Sequence, residues 1–212
     1  MVKAVQQFQL RTVIGTQEKA ENTLRLMKEA GYDGIELCGF MIKKMPVMVR
    51  ALTRLAGMPM GKSGNLDWEK LIKASGLQVV SVHEDLGSIL RAPEEMIAEA
   101  ERFGTDKIVV TGMYRFDFSD KEEVLKLARQ LNQAGKLLLE GGISFLYHNH
   151  NCEFRKVEPH KTAYRLLMEE TDPDLVNFEF DSYWPTEAGA DALRLMEELG
   201  AVSYTHLTLP TT

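Results

Sequence analysis

The chain reads as an α/β fold of the (β/α)8 TIM-barrel type, incomplete, with about six βα units present in its 212 residues. Strand-like and helix-like segments alternate along its length, which implies right-handed βαβ units and a parallel sheet. The first βα turn reads IGTQEK and lacks G-x-G-x-x-G, so a dinucleotide-binding Rossmann fold is without its usual fingerprint. Polar side chains also fall at many strand ends, namely Glu36, His83, His148, His150 and Asp181. An open sheet concentrates its site at one switch point, whereas a barrel gathers residues from around its rim.

Taken in order, residues 4–13 read as a first strand. Residues 18–30 follow as a helix with Ala20, Leu24, Leu26 and Met27 on its apolar side and Gly31 as its stop. Residues 34–37 form a short second strand. Residues 41–66 are less regular, with a short helix over 47–55 and a loop over GMPMGKSG. Asp67 is placed to cap a helix through Ala74 that Gly76 closes. Residues 77–83 are a valine-rich third strand. Pro93 suits the first turn of a helix that runs to Phe103 and stops at Gly104. Residues 107–112 are a fourth strand, and Asp120 caps a long helix to Leu139. Residues 143–150 are the fifth strand, 159–170 a helix, 175–181 the sixth strand and 188–199 a final helix.

A hydrophobic content of 44% suits one compact domain with a sizeable core. The formal net charge of −6 gives no support to a nucleic-acid or anionic-membrane partner. Cys38 and Cys152 have no C-x-x-C spacing, so a reducing, cytoplasmic setting is expected. No run approaches the ~18 apolar residues of a membrane span. The start MVKAVQQFQL has no apolar stretch of a signal peptide.

The richest stretch is FLYHNHNCEF, residues 145–154. Phe145, Leu146 and Tyr147 give the strand. His148 and His150 are two apart and so share one face, and Glu153 follows just past the strand end. Two imidazoles and a carboxylate there could bind a divalent metal or move protons. Core histidines bonded to backbone are the plainer alternative, but two on one face beside an acid favour a site. In the sixth strand Asn177, Glu179 and Asp181 share one face while Val176, Phe178 and Phe180 share the other. The apolar face suits packing on helices, so the polar face looks inward. Burying those polar groups unpartnered would cost on the order of 1–3 kcal/mol each. Asp181 either caps the next turn or serves the site, and Glu179 suits a polar network lower in the barrel. Glu36 and His83 stand at strand ends. Trp184 and Tyr183 suit core or rim packing more than substrate stacking.

FQLRTV, AGYDGIELCGF, SGLQVVSVHEDL, the run ending in YHNHNCEF, and ETDPDLVNFEFDSYWPTEAGAD occur in an order that resembles the sugar phosphate isomerase/epimerase group of xylose isomerase-like TIM barrels. The resemblance covers about residues 7–191. It implies a divalent metal (Mn, Co, Mg or Zn) at the C-terminal mouth of the barrel and a small sugar or keto-sugar as substrate. Carried over, it offers His148, His150, Glu153 and Asp181 as metal ligands and Glu153 and His148 as catalytic groups. Glu36, His83, His150 and Trp184 become substrate contacts. Members often read Gln-x-Tyr-Thr-x-Arg early on; here Arg11 holds the tyrosine place and Ile14 the arginine place.

The resemblance also implies a seventh strand with His-x-Lys-Asp and an eighth with a Glu. His206 lies near the place of that histidine, but Thr208 and Leu209 hold the lysine and aspartate places. VSYTHLTLPTT resembles a translated sequencing-adapter tail. Residues 1–200 are therefore expected to be a partial barrel and 201–212 a non-native tail. The function expected of the full-length form is metal-dependent isomerisation, epimerisation or elimination on a sugar by proton abstraction next to a carbonyl, with this fragment inactive. The rivals are an apurinic-endonuclease-like metal nuclease and a non-catalytic sugar-binding barrel. Only five histidines and a negative net charge weigh against the nuclease.

Overall fold

The structure, a computed structural model, describes residues 2–44, 63–111, 113 and 116–200, and the backbone of 203–206. The chain divides into two units, Met1–Glu84 with Ala98–Lys107 and Asp85–Ile97 with Ile108–Thr212. Parallel strands alternating with helices make it an α/β fold, an incomplete TIM barrel.

The first unit holds β1 (Ala4–Gln6), α1 (Gln17–Glu29), β2 (Gly34–Cys38), α2 (Gly39–Ile42), α3 (Trp68–Ser75) and β3 (Gln78–Glu84). β2 pairs in parallel with both β1 and β3. Thr16 starts α1 by accepting from Lys19 N at 3.3 Å, and Ala20, Leu24 and Met27 form its buried stripe. Asp67 caps α3 by accepting from Lys70 N at 3.0 Å, and Gly76 ends it at φ 67°, as the sequence predicts. Ile14, Leu24, Ile35, Leu37, Trp68, Leu71 and Val82 belong to one core cluster.

The expected first strand is cut short. After Gln6 the chain turns into a 3-10 helix, Gln7–Leu10. The buried Gln7 side chain accepts from Cys38 N at 2.8 Å, doing what a backbone carbonyl would do in a longer ladder. Arg11 then folds back onto the Phe8 carbonyl at 2.9 Å and lies over its ring.

The second unit holds α4 (Leu86–Arg91), β5 (Ser144–His148), β8 (Asn177–Asp181) and the long α6 (Lys121–Glu140). It also holds a two-stranded antiparallel ribbon of β6 (Lys156–Glu158) and β7 (Lys161–Thr162), then α7 (Ala163–Glu170), α8 (Tyr183–Glu187), α9 (Ala192–Leu199) and β9 (Ser203–His206). α5 (Pro93–Phe103) and β4 (Lys107–Thr111) contribute residues to both units. Within this unit the strand order is β4-β5-β8-β9, and β8 runs parallel to β5 and β9. α6 packs on α4, α7 and β5. Asp120 caps α6 by accepting from Glu122 N and Glu123 N.

Several expected spans are shorter or divided, among them the sixth strand, expected from 175, where β8 begins at Asn177. β5 stops at His148, two residues early. The helix expected over 159–170 begins at Ala163, behind the ribbon, where Thr162 accepts from Arg165 N at 3.2 Å. The helix expected over 188–199 is preceded by α8 and itself starts after Asp191, which accepts from Arg194 N at 3.1 Å. The helix expected over 47–55 and the loop expected over 57–64 lie outside the described residues, except that Ser63 and Gly64 open a 3-10 helix, Ser63–Asn65. So do 201, 202 and 207–212, although the backbone of β9 pairs with β8 and sets His206 opposite Asp181. No helix among the described residues is long and apolar enough to cross a membrane.

α6 reaches the loop before β8 through Gly135. A Cβ there would stand 2.3 Å from the Leu175 carbonyl oxygen, a backbone atom that cannot step aside cheaply. Gly135→Ala is therefore expected to destabilise the protein by about 1–3 kcal/mol through overpacking, read from the shift of a urea unfolding curve.

Candidate active site

The two faces of β8 are physically different, as the alternation predicts. Phe178 and Phe180 turn toward α7, where Tyr164 meets them at ring-centroid distances of 5.6 and 6.4 Å. Tyr147 lies opposite Phe178 in the register and joins the same aromatic layer at 6.3 Å. Glu179 and Asp181 therefore belong to the opposite face, where both are buried. His148 is opposite Glu179 in that register.

His148 Nδ1 and Glu179 Oε2 are 2.8 Å apart across the two strands. A carboxylate only accepts, so the ring donates through Nδ1; in a neutral imidazole the lone pair is then on Nε2. Nε2 stands 3.8 Å from Asp181 Oδ2. The other oxygen of Asp181 accepts from Tyr183 N at 2.8 Å, so this residue both caps the following turn and faces the histidine. An imidazole oriented by a buried carboxylate, beside a second carboxylate, is the donor arrangement that suits a divalent metal.

His150 is half-buried just beyond the end of β5. Its ring lies 5.1 Å from that of His148 and 5.3 Å from that of Trp184. The two histidines thus stay together although β5 has ended between them, and Trp184 joins them as the third ring. Glu153 is fully buried. Its Oε1 accepts from Tyr147 Oη at 2.8 Å; its Oε2 accepts from His150 N at 3.0 Å and from Cys152 Sγ at 3.1 Å. Both oxygens are thus engaged, one by a tyrosine of β5 and the other by two donors of its own turn. Burial, with Glu153 beside them, holds the Tyr147 hydroxyl well above its ordinary value and pushes the Cys152 thiol up to about 12.

Asn149 is a residue that the sequence did not single out. Fully buried, it donates through Nδ2 to the Asp181 carbonyl at 3.1 Å and accepts through Oδ1 from Asp181 N at 3.1 Å. Its only signal in the sequence was its place between two candidate histidines.

The first unit carries the two remaining candidates. Glu36 and His83 are both buried, with Glu36 Oε2 3.6 Å from His83 Nε2 and Gln6 Nε2 3.5 Å from the same nitrogen. The next residue, Glu84, points to the other face. Lys43 Nζ is 2.7 Å from Glu84 Oε1 and 3.0 Å from Glu99 Oε1, and Arg102 reaches Glu99 Oε2 at 3.4 Å. Burial pushes the Glu84 carboxyl up to about 8; the bond with Glu99 adds to this and Lys43 opposes it.

Neither a family model nor a curated protein matches the sequence. The fold is similar to solved structures. A sugar phosphate isomerase/epimerase from Parabacteroides distasonis matches at TM-score 0.73 and 20% identity, over 93% of this chain and 71% of that one. A second structure of the same description and organism matches at TM-score 0.67 and 23% identity, over 92% and 75%. The IolI protein with a bound zinc atom matches at TM-score 0.63 and 12% identity, over 98% and 72%. The likeness to these structures is one of fold, an incomplete TIM barrel that spans 71–75% of their length.

Two outcomes are expected. Tyr147→Phe removes one donor to a buried carboxylate and should cost about 1–3 kcal/mol in chemical denaturation. For Glu84 the folded value lies above the unfolded 4.5, so the native state holds the extra proton. Stability therefore falls as pH rises from about 4.5 to about 8. Glu84→Gln should flatten that fall, measured as unfolding midpoints at pH 5 and pH 8.

Proposed function

We propose that this protein is a metal-dependent isomerase, epimerase or related lyase acting on a sugar or keto-sugar. The observation that carries this is the buried His148–Glu179 pair with Asp181 beside it. The zinc reported with one similar structure and the sugar enzymes among the others support the same reading.

His148 and Asp181 would hold the metal, with His150, just past the end of β5, as a further donor. When bound, such an ion stabilises the negative charge that develops on a carbonyl oxygen as a neighbouring C–H loses its proton. The chain's own groups do the rest. Glu179 fixes the tautomer of His148 and keeps its ring in place. Glu153 and its three donors hold the turn that carries His150. His150 and Trp184 offer a half-buried aromatic edge against which the apolar side of a sugar can rest. Glu36 and His83 are proposed as substrate contacts, and a histidine or carboxylate of the site as the base. The two free cysteines suit a reducing compartment, and we place the protein in the cytoplasm on that ground.

The test is calorimetric titration with Mn²⁺ or Co²⁺, joined to a search by NMR for deuterium uptake next to the carbonyl of keto-sugars in D₂O. His148→Ala and Asp181→Ala should each weaken metal binding by more than the roughly 10–100-fold that loss of a supporting residue costs. Unchanged binding in both variants would refute the site. Metal binding without deuterium uptake by any keto-sugar would count against the isomerase reading.

A further inference from the structure

We infer that Asn149 is a positioning residue whose side-chain amide sets Asp181 against His148. This rests on the metal reading of that pair. The register that places Leu146, Tyr147 and His148 opposite Asn177, Phe178 and Glu179 would, if continued, set residue 150 opposite Asp181. β5 ends at His148, however, so no backbone ladder reaches Asp181 from that side. The amide of Asn149 stands in for the missing rung. It donates to the Asp181 carbonyl and accepts from the Asp181 N–H, both at 3.1 Å, and it is wholly buried.

A primary amide is suited to this task because it carries a donor and an acceptor side by side, as a peptide does. Both contacts fall on the peptide groups flanking the Asp181 Cα, so they fix the direction of its side chain. With Oδ1 held by Tyr183 N, Oδ2 is left at 3.8 Å from His148 Nε2. The clamp also lets the chain leave the sheet one residue after His148, which frees His150 to turn toward Trp184. Ligand geometry at Asp181 is thus set by a side chain that itself has no place among the ligands.

The experiment measures Co²⁺ affinity and the visible absorption of bound Co²⁺ for the chain, Asn149→Ala and the isosteric Asn149→Asp, with near-ultraviolet circular dichroism to confirm folding. Asn149→Ala is expected to weaken Co²⁺ by about 10–100-fold and to shift the absorption bands, as loss of a supporting residue does. Asn149→Asp keeps the acceptor and loses the donor, so a smaller loss with a shift in the same direction is expected. It decides the matter if the alanine variant does not fold. A variant that is folded, binds Co²⁺ within about twofold of the parent and leaves the spectrum unchanged would overturn the positioning role alone, since supporting residues change affinity at least about tenfold. A parent chain that binds no Co²⁺ would overturn the metal reading, and this inference with it.

Discussion

Polar side chains buried on one face of β8 must find partners on the neighbouring strand, and this requirement organises the second unit. Glu179 is nearly as buried as the phenylalanines that flank it, and an unpartnered carboxylate there would be intolerable. His148 meets that need at 2.8 Å. For the two to face each other, β5 and β8 must keep one register, and the aromatic layer of Tyr147, Phe178 and Tyr164 on the opposite face enforces it. A slip of one residue would bring apolar side chains to the polar face and set Glu179 against phenolic rings. The site and the packing behind it thus depend on a single alternation.

The end of β5 shows how backbone and side chains exchange duties once a ladder stops. Three residues take over from the missing rungs. Asn149 bonds to both peptide groups of Asp181, and Glu153 accepts from the His150 N–H. Tyr147, part of the aromatic layer, donates to that same carboxylate. Irregular backbone is therefore held by side-chain bonds in a buried place where water could not supply them. Gln7 does the same at the other end of the chain, accepting from Cys38 N where β1 has already ended. Functional groups gather at such places because the side chains there are no longer bound to strict alternation.

The candidate site residues are drawn from both units. His148, His150, Glu153, Asp181 and Trp184 come from one unit, whereas Glu36 and His83 come from the other.

What the sequence determined by itself was the class of fold, the order of its elements and the faces of its strands. Strand and helix periods, Asp67 and Asp120 as caps and Gly76 as a stop are local signals, each decided within a few residues. The inward face of Asn177, Glu179 and Asp181 follows from a period of two. Only the tertiary structure decided where each strand ends, because ends are set by partners distant in sequence. Gln7 finds Cys38, Asn149 finds Asp181, and the expected strands shrink accordingly. It also decided the role of each acid. Glu153 and Asp181 look alike in the sequence, yet Glu153 is held by Tyr147 of β5 and two donors of its own turn while Asp181 has an oxygen 3.8 Å from His148. That difference lies in hydrogen bonds no residue spacing encodes.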